Sequence, residues 1–283
     1  SNQMERQADM SNQFPLALTC ALPMYKAKDI GWLALESLCA QERITFDWEL
    51  VVIEEADGAL GWEEIKKYEA RLKKIGCAEI KHVSLDAWIP LGEKWRQIAQ
   101  RAEGTGFLLV AADCYSQPLR LAETYDLLNN SDVVWVRSPL GGFYNIGNDT
   151  LSIYDQELAN GHPCCLNMAT LSEYVRKIPV TDRRRSVDGW MYTEIERVLG
   201  RKMRVAYNES DSWRRGVDTH GLNNLSAGRG TKLNLEPKAP FRGPLPREPL
   251  HMEHVVPQEI AARLRTLRGL AAERTFVKKG IAG

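Results

Sequence analysis

The feature that most constrains this chain is an alternation: over its first 113 residues, short apolar runs of strand length take turns with segments of helical period. "PLALTCALP" (15–23) is a buried strand, and "DIGWLALESLCAQ" (29–41) sets Ile30, Leu33, Ala34 and Leu38 on one helix face. "WELVVIEEADG" (48–58) is a second strand that ends in acids and a glycine turn. "WEEIKKYEARLKKIG" (62–76) predicts a helix with Ile65, Tyr68, Leu72 and Ile75 on one side, stopped by Gly76. "AEIKHVSLD" (78–86), "EKWRQIAQRAEG" (93–104) and "FLLVAAD" (107–113) follow as strand, helix and strand. Near-continuous apolar strands joined by helices imply a mostly parallel sheet covered on both faces. The fold class is therefore α/β, and in such a sheet ligands bind beyond the carboxyl ends of the strands.

The strand ends then become informative. The first strand runs out at Pro23-Met24-Tyr25-Lys26, the second at Glu54-Glu55-Ala56-Asp57-Gly58 and the fourth at Asp113. A parallel sheet gathers all three at one edge, which collects an aromatic ring, several carboxylates and a glycine turn. That set suits a nucleotide bound with a metal ion. Neither a G-x-G-x-x-G fingerprint nor a P-loop occurs, so a hard divalent cation with oxygen ligands would be the substitute for holding phosphates. The alternative for Asp113 is a cap on the following helix.

The second half is less regular. "DVVWVRSP" (132–139) is a strand, "GGFYNIGND" (141–149) a glycine-rich loop and "ATLSEYVRKIP" (169–179) a short helix. "SVDGWMYTEIERVLG" (186–200) is a helix followed by the strand "KMRVAY" (202–207). Residues 208–256, rich in Gly, Pro, Asn and Arg, read as a long loop or wrapping tail. A basic amphipathic helix over 257–276 starts at Pro257. The expected division is a first half over 14–130, a second half over 131–235, and 236–283 as a proline-rich tail with a closing helix.

Charge is balanced overall, with 37 basic and 37 acidic side chains, but not along the chain. Residues 1–175 hold 15 Lys/Arg against 25 Asp/Glu, a net of −10, and residues 176–283 hold 22 against 12, a net of +10. The second half either faces an anionic partner or carries solvated charge. No apolar run reaches the roughly 18 residues of a membrane span, and the polar beginning lacks a signal-peptide core, so a cytoplasmic location with no membrane partner is expected. The six cysteines form no Cys-x-x-Cys pair, which favours free thiols, with Cys20 and Cys39 as packing residues.

The order of these signals resembles the GT-A glycosyltransferases, family 2 in particular, from about Leu16 to Tyr207. Pro23 and Tyr25 match that family's Pro-x-Tyr turn; Ser37, Leu38 and Gln41 match its Ser-Leu-x-x-Gln helix end. Glu54, Glu55, Asp57 and Gly58 match the paired acids before Asp-Gly. Counting back from Pro118 and Leu121 sets Asp113 on the second aspartate of its metal motif and Ala111 on the first. The resemblance implies that Asp113 coordinates Mn²⁺ or Mg²⁺ on the donor's diphosphate, with Glu54 or Glu55 recognising base and ribose. Ala111 departs from the pattern: either the site is a tolerated variant or the protein binds without turnover.

The same resemblance makes Asp188 the candidate base for an inverting transfer, stabilisation of its helix N-terminus being the other reading. It makes His220 a candidate metal ligand, a structural loop histidine being the other reading; Arg214, Arg215, Lys94 and Arg96 are candidates for neutralising the leaving diphosphate or, equally, solvated surface charge. The implied activity is sugar transfer from a nucleotide-diphosphate sugar to an acceptor hydroxyl, with residues 14–130 as the nucleotide-sugar-binding half and 131–235 as the acceptor-binding half. Arg183, Arg184 and Arg185, just before Asp188, suggest a phosphate-rich acceptor, with DNA carrying hydroxymethylated bases the leading expectation. Saccharide, lipid-linked and protein acceptors are the alternatives. A nucleotidyltransferase would show a glycine-rich basic loop after the first strand, and "LPMYKAKD" is not one. A non-catalytic nucleotide-sugar or nucleic-acid binding module is the more serious rival.

Overall fold

The computed structural model describes residues 14–130, 132–137, 140–147, 149–155, 168–183, 187–207, 217–220 and 251–270. The strands are β1 (Leu16–Met24), β2 (Trp48–Glu55), β3 (Cys77–Leu85), β4 (Gly104–Leu109), β5 (Cys114–Tyr115), β6 (Val133–Arg137), β7 (Leu140–Asn145), β8 (Thr150–Asp155), β9 (Ala169–Leu171), β10 (Arg204–Tyr207) and β11 (Val217–His220). The helices are α1 (Trp32–Cys39), α2 (Trp62–Lys66), α3 (Glu69–Lys74), α4 (Leu91–Arg101), α5 (Arg120–Leu128), α6 (Ser172–Val175), α7 (Val187–Leu199) and α8 (Gln258–Thr266). A seven-stranded sheet runs β10-β6-β9-β4-β1-β2-β3, parallel except for β9, and a second sheet runs β5-β11-β7-β8.

Side chains on the central strands alternate between two cores, as the two-residue period of a strand requires. Leu18, Cys20 and Leu22 of β1 join Trp48, Leu50 and Val52 of β2 on one face, under Leu33 and Leu38 of α1 and Leu72 of α3. Ala21, Val51, Ile53 and Phe107 face the other way, onto Trp95 and Ile98 of α4, Val175 of α6 and Met191 and Ile195 of α7. Burying each Leu, Ile or Val fully contributes about 1.5–3 kcal/mol, and this two-sided burial is why β1 and β2 sit at the centre. Edge strand β3 mixes Glu79 and Lys81 with half-buried residues, which suits a strand with one unpaired side. Helix α8 closes the first face through Ile260, Ala261 and Leu264, and Arg263 lies 3.8 Å from the Trp32 ring centre.

Several expectations are corrected. The fourth strand ends at Leu109, not Asp113: Val110 N–H still bonds the Ala21 carbonyl, then Cys114 N–H turns back to Ala111 and the chain enters the second sheet as β5. The segment 141–149, read as a loop, is mostly strand β7, paired antiparallel to β8. The turn between them is held by Asn145 on Gly147 N–H at 2.9 Å and by Asp149 at φ 55°. Residues 169–171 are strand β9 rather than helix, because they bridge β4 and β6. The single helix over 62–76 divides into α2 and α3, where Lys67 and Tyr68 bond three residues back instead of four. Strand β11 lies inside the segment read as loop or tail.

Candidate functional site

The carboxyl ends of β1 and β2 are joined by a buried ion pair. Glu55, the last residue of β2, is 4% exposed and accepts from Lys94 Nζ at 2.7 Å; Lys94, on the first turn of α4, is 3% exposed. The same ammonium donates to the Met24 carbonyl at 2.5 Å and lies 5.7 Å from the Tyr25 ring centre. Burial pulls Lys94 below the usual lysine range, and its hydrogen bond to Glu55 opposes that pull. Lys94, Glu55, Met24 and Tyr25 thus form one unit, with the lysine directed at the end of β1. Pro23 is buried one residue earlier, whereas Tyr25, Trp88 and Leu91 are exposed along this edge at 38%, 40% and 37%.

Glu54 has a different occupation. Its carboxylate accepts from Leu60 N–H at 2.8 Å, from Gly61 N–H at 2.9 Å and approaches His82 Nε2 at 2.8 Å, so it organises the loop after β2. The His82 ring stacks on Trp62 with centroids 5.8 Å apart. Asp57, in that loop, pairs with Lys26 at 3.1 Å in solvent. Gly58 at φ 71° accepts from Lys28 N–H, and a Cβ there would lie 3.2 Å from three Lys26 atoms, so glycine meets both the turn and the close approach. Arg96 is not drawn into this group: it forks onto Glu93 of its own helix at 2.6 and 2.8 Å.

Asp113 stands where the chain passes from one sheet to the other. Its backbone carbonyl accepts from Thr219 N–H at 2.9 Å and Thr219 Oγ1 at 2.8 Å, which draws β11 against it. His220 is the next residue of β11, in register with Asn145; only its backbone is described. Arg184, Arg185, Arg214 and Arg215 lie outside the described residues, and Arg183 is exposed. Behind the turn, Gln41 donates to the Gln117 and Ser37 carbonyls at 2.9 and 3.0 Å and accepts from Leu121 N–H at 3.0 Å. The Ser37, Leu38 and Gln41 signature therefore ties the end of α1 to the start of α5. Thr219 and Gln117 escaped the sequence reading, since neither residue type in a polar loop marks a long-range bond.

Asp188 is half-buried in the first turn of α7. Helix α7 is set against the start of α4 at Gly92, where a Cβ would fall 2.6 Å from Thr181 Cγ2 and 3.1 Å from Val187 and Trp190. Only glycine admits that approach, and it brings the helix start carrying Asp188 beside the helix start carrying Lys94. Among the described residues, one group of acids has metal-like spacing, Glu49 with Glu79 and Glu103. Lys81 Nζ already sits among these carboxylates at 2.8, 3.5 and 3.0 Å, so an ammonium fills that place.

No family model matches the chain, and no curated protein matches it. Solved structures do. The fold resembles that of TarS from S. aureus, at 14% identity and a TM-score of 0.51, over 69% of this chain and 36% of that one. The 1–349 portion of TarS aligns at 14% identity and a TM-score of 0.51, over 68% of this chain and 58% of the other. The chain thus spans less than two thirds of the length of either TarS chain. The α/β class and GT-A arrangement, a mostly parallel sheet with helices on both faces, stand. Among the described residues, no helix is long and apolar enough to cross a membrane.

Proposed function

We propose that the chain is a metal-assisted, inverting glycosyltransferase that moves a sugar from a nucleotide-diphosphate sugar to an acceptor hydroxyl. The observation that carries this reading is the junction at Asp113, a carboxylate at the carboxyl edge of the sheet with β11 hydrogen-bonded onto its backbone. The neighbouring turn bearing Tyr25 and the start of α7 bearing Asp188 support it. The donor set fits a hard divalent cation: Asp113 offers carboxylate oxygens, and His220 an imidazole nitrogen that suits Mn²⁺ better than Mg²⁺. A cation held there would neutralise the diphosphate as it leaves.

The remaining roles belong to the chain's own groups. Tyr25 and the loop organised by Glu54 border the donor's base and ribose. Glu55 acts through Lys94, keeping the ends of β1 and β2 in one geometry. Asp188 takes the proton from the attacking hydroxyl while the bond from the anomeric carbon to the diphosphate oxygen breaks. Arg214 and Arg215 are retained as candidate partners of the leaving phosphates, and Arg96 is the weakest candidate because Glu93 already holds its fork.

Hydroxymethylated DNA is the acceptor proposed from the basic second half, and the location proposed is the cytoplasm. TarS 1–349 is itself known in complex with UDP and with UDP-GlcNAc, so UDP-sugars head the donor panel. The test is nucleoside diphosphate release from UDP-, GDP- and dTDP-sugars in Mn²⁺, with and without plain and hydroxymethylated DNA. Release stimulated by modified DNA alone supports transferase and acceptor together. Release indifferent to DNA keeps the transferase and rejects that acceptor, and no release from any donor overturns the reading in favour of a binding module. Asp188→Asn is expected to retain donor binding and lose turnover by about 10²–10⁴-fold; unchanged turnover removes it as the base.

A further inference from the structure

Arg120 opens α5 and is 1% exposed, yet among the described residues no carboxylate is hydrogen-bonded to its guanidinium. One terminal nitrogen donates to Ser116 Oγ at 2.8 Å. The other donates to the Leu109 carbonyl and reaches the Met168 carbonyl at 3.4 Å, while Nε has no hydrogen-bond partner among the described residues. Burial pushes the group down to about 10, with the thiols of Cys114 and Cys20 acting in the opposite direction. A buried cation held by neutral acceptors is costly to keep, and an apolar side chain of similar volume would fill the space without that cost.

The three acceptors explain what the cation does. Leu109 is the last residue of β4, and its own N–H bonds the Met168 carbonyl, just ahead of β9. Ser116 directly follows β5. The guanidinium therefore holds both ends of the six-residue passage 110–115, which leaves one sheet, turns at Ala111 to Cys114 and enters the other. Asp113 lies inside that passage. With Ala111 where a first acid would stand, the geometry of the single remaining carboxylate matters more.

We propose that Arg120 is a positioning residue that clamps the passage 110–115 and so aims Asp113 at the site. The role rests on the reading of Asp113 given above, but the clamp can be measured without it. Lysine can replace one of the three bonds and methionine none, which grades the effect. Amide hydrogen exchange is measured on the full chain of wild type, Arg120→Lys and Arg120→Met, with apparent Mn²⁺ affinity read from donor turnover and from Mn²⁺ titration without donor. Exchange over 110–116 is expected to quicken about tenfold or more in Arg120→Met and less in Arg120→Lys, with β2 and β3 unchanged. The Mn²⁺ requirement should rise about tenfold while turnover at saturating Mn²⁺ stays within about threefold. Exchange unchanged over 110–116, or faster throughout β1 to β3, overturns the clamp; a quickened passage with unaltered Mn²⁺ affinity overturns the aiming of Asp113. If wild type releases no nucleotide from any donor, the glycosyltransferase reading fails, and exchange with the donor-free titration still decides the role of Arg120.

Discussion

Strand β2 buries Glu49 near its amino end and Glu54 and Glu55 at its carboxyl end, and the two ends use the same chemistry for different purposes. Glu49 is fully buried, accepts from Thr19 Oγ1 at 2.6 Å and Gly104 N–H at 3.2 Å, and pairs with Lys81 at 2.8 Å. Every one of these bonds crosses to another strand of the sheet, β4 being reached past β1, so this end locks β1, β2, β3 and β4 in register. At the other end, Glu54 and Glu55 bind loops and the start of α4, with exposed Tyr25 and Trp88 beside them. Burial and pairing of a carboxylate therefore do not mark a site. Its end of the strand does, because connections at the carboxyl end of a parallel sheet are the ones free to form a crevice.

The largest effect that would sharpen this contrast is on Asp113. Asp113→Ala is expected to lower metal-dependent turnover on the order of a thousandfold, about 4 kcal/mol in the barrier, with the melting temperature nearly unmoved. Intact turnover would move the site away from this edge. Next comes Lys94→Met, which strands the Glu55 carboxylate in the interior and should cost about 3 kcal/mol in denaturant unfolding while also weakening donor affinity. Adding Glu55→Leu should recover much of the stability but not the affinity, and recovery of both would make this pair purely structural. Glu49→Gln should cost about 2 kcal/mol, since it weakens charge-assisted bonds while keeping the shape. Its donor affinity, read by calorimetry, should not change; a loss there would erase the distinction between the two ends. The smallest effect is expected of Asp57→Asn, whose pair with Lys26 is exposed and screened by solvent, so the denaturant midpoint should not measurably move.

How far this was legible in the sequence varies by element. Strands β1, β2 and β3 and helices α1 and α4 follow from periodicity, because a strand or helix buried against a continuous sheet must repeat its apolar residues. Strand β5 has two residues and β9 three, too short for any period to show. The glycines at 141 and 142 read as a loop, yet pairing with β8 makes them strand, so the partner outweighed local propensity. At the site, the aromatic and acidic character of the strand ends was visible. That Lys94 would be held by Glu55, 39 residues away, was not.

By itself, then, the sequence determined the α/β class, the parallel core and the edge where acids and aromatics collect, since these depend on side-chain patterns repeated over neighbouring residues. Tertiary structure alone decided that Glu54 and Glu55 serve a loop and a lysine, that an ammonium fills the acidic cluster at Glu49, and that Thr219 meets Asp113 across 106 residues. Those pairings are set by which strands adjoin and which helices approach closely, and a bond between distant residues leaves no periodic trace in the chain.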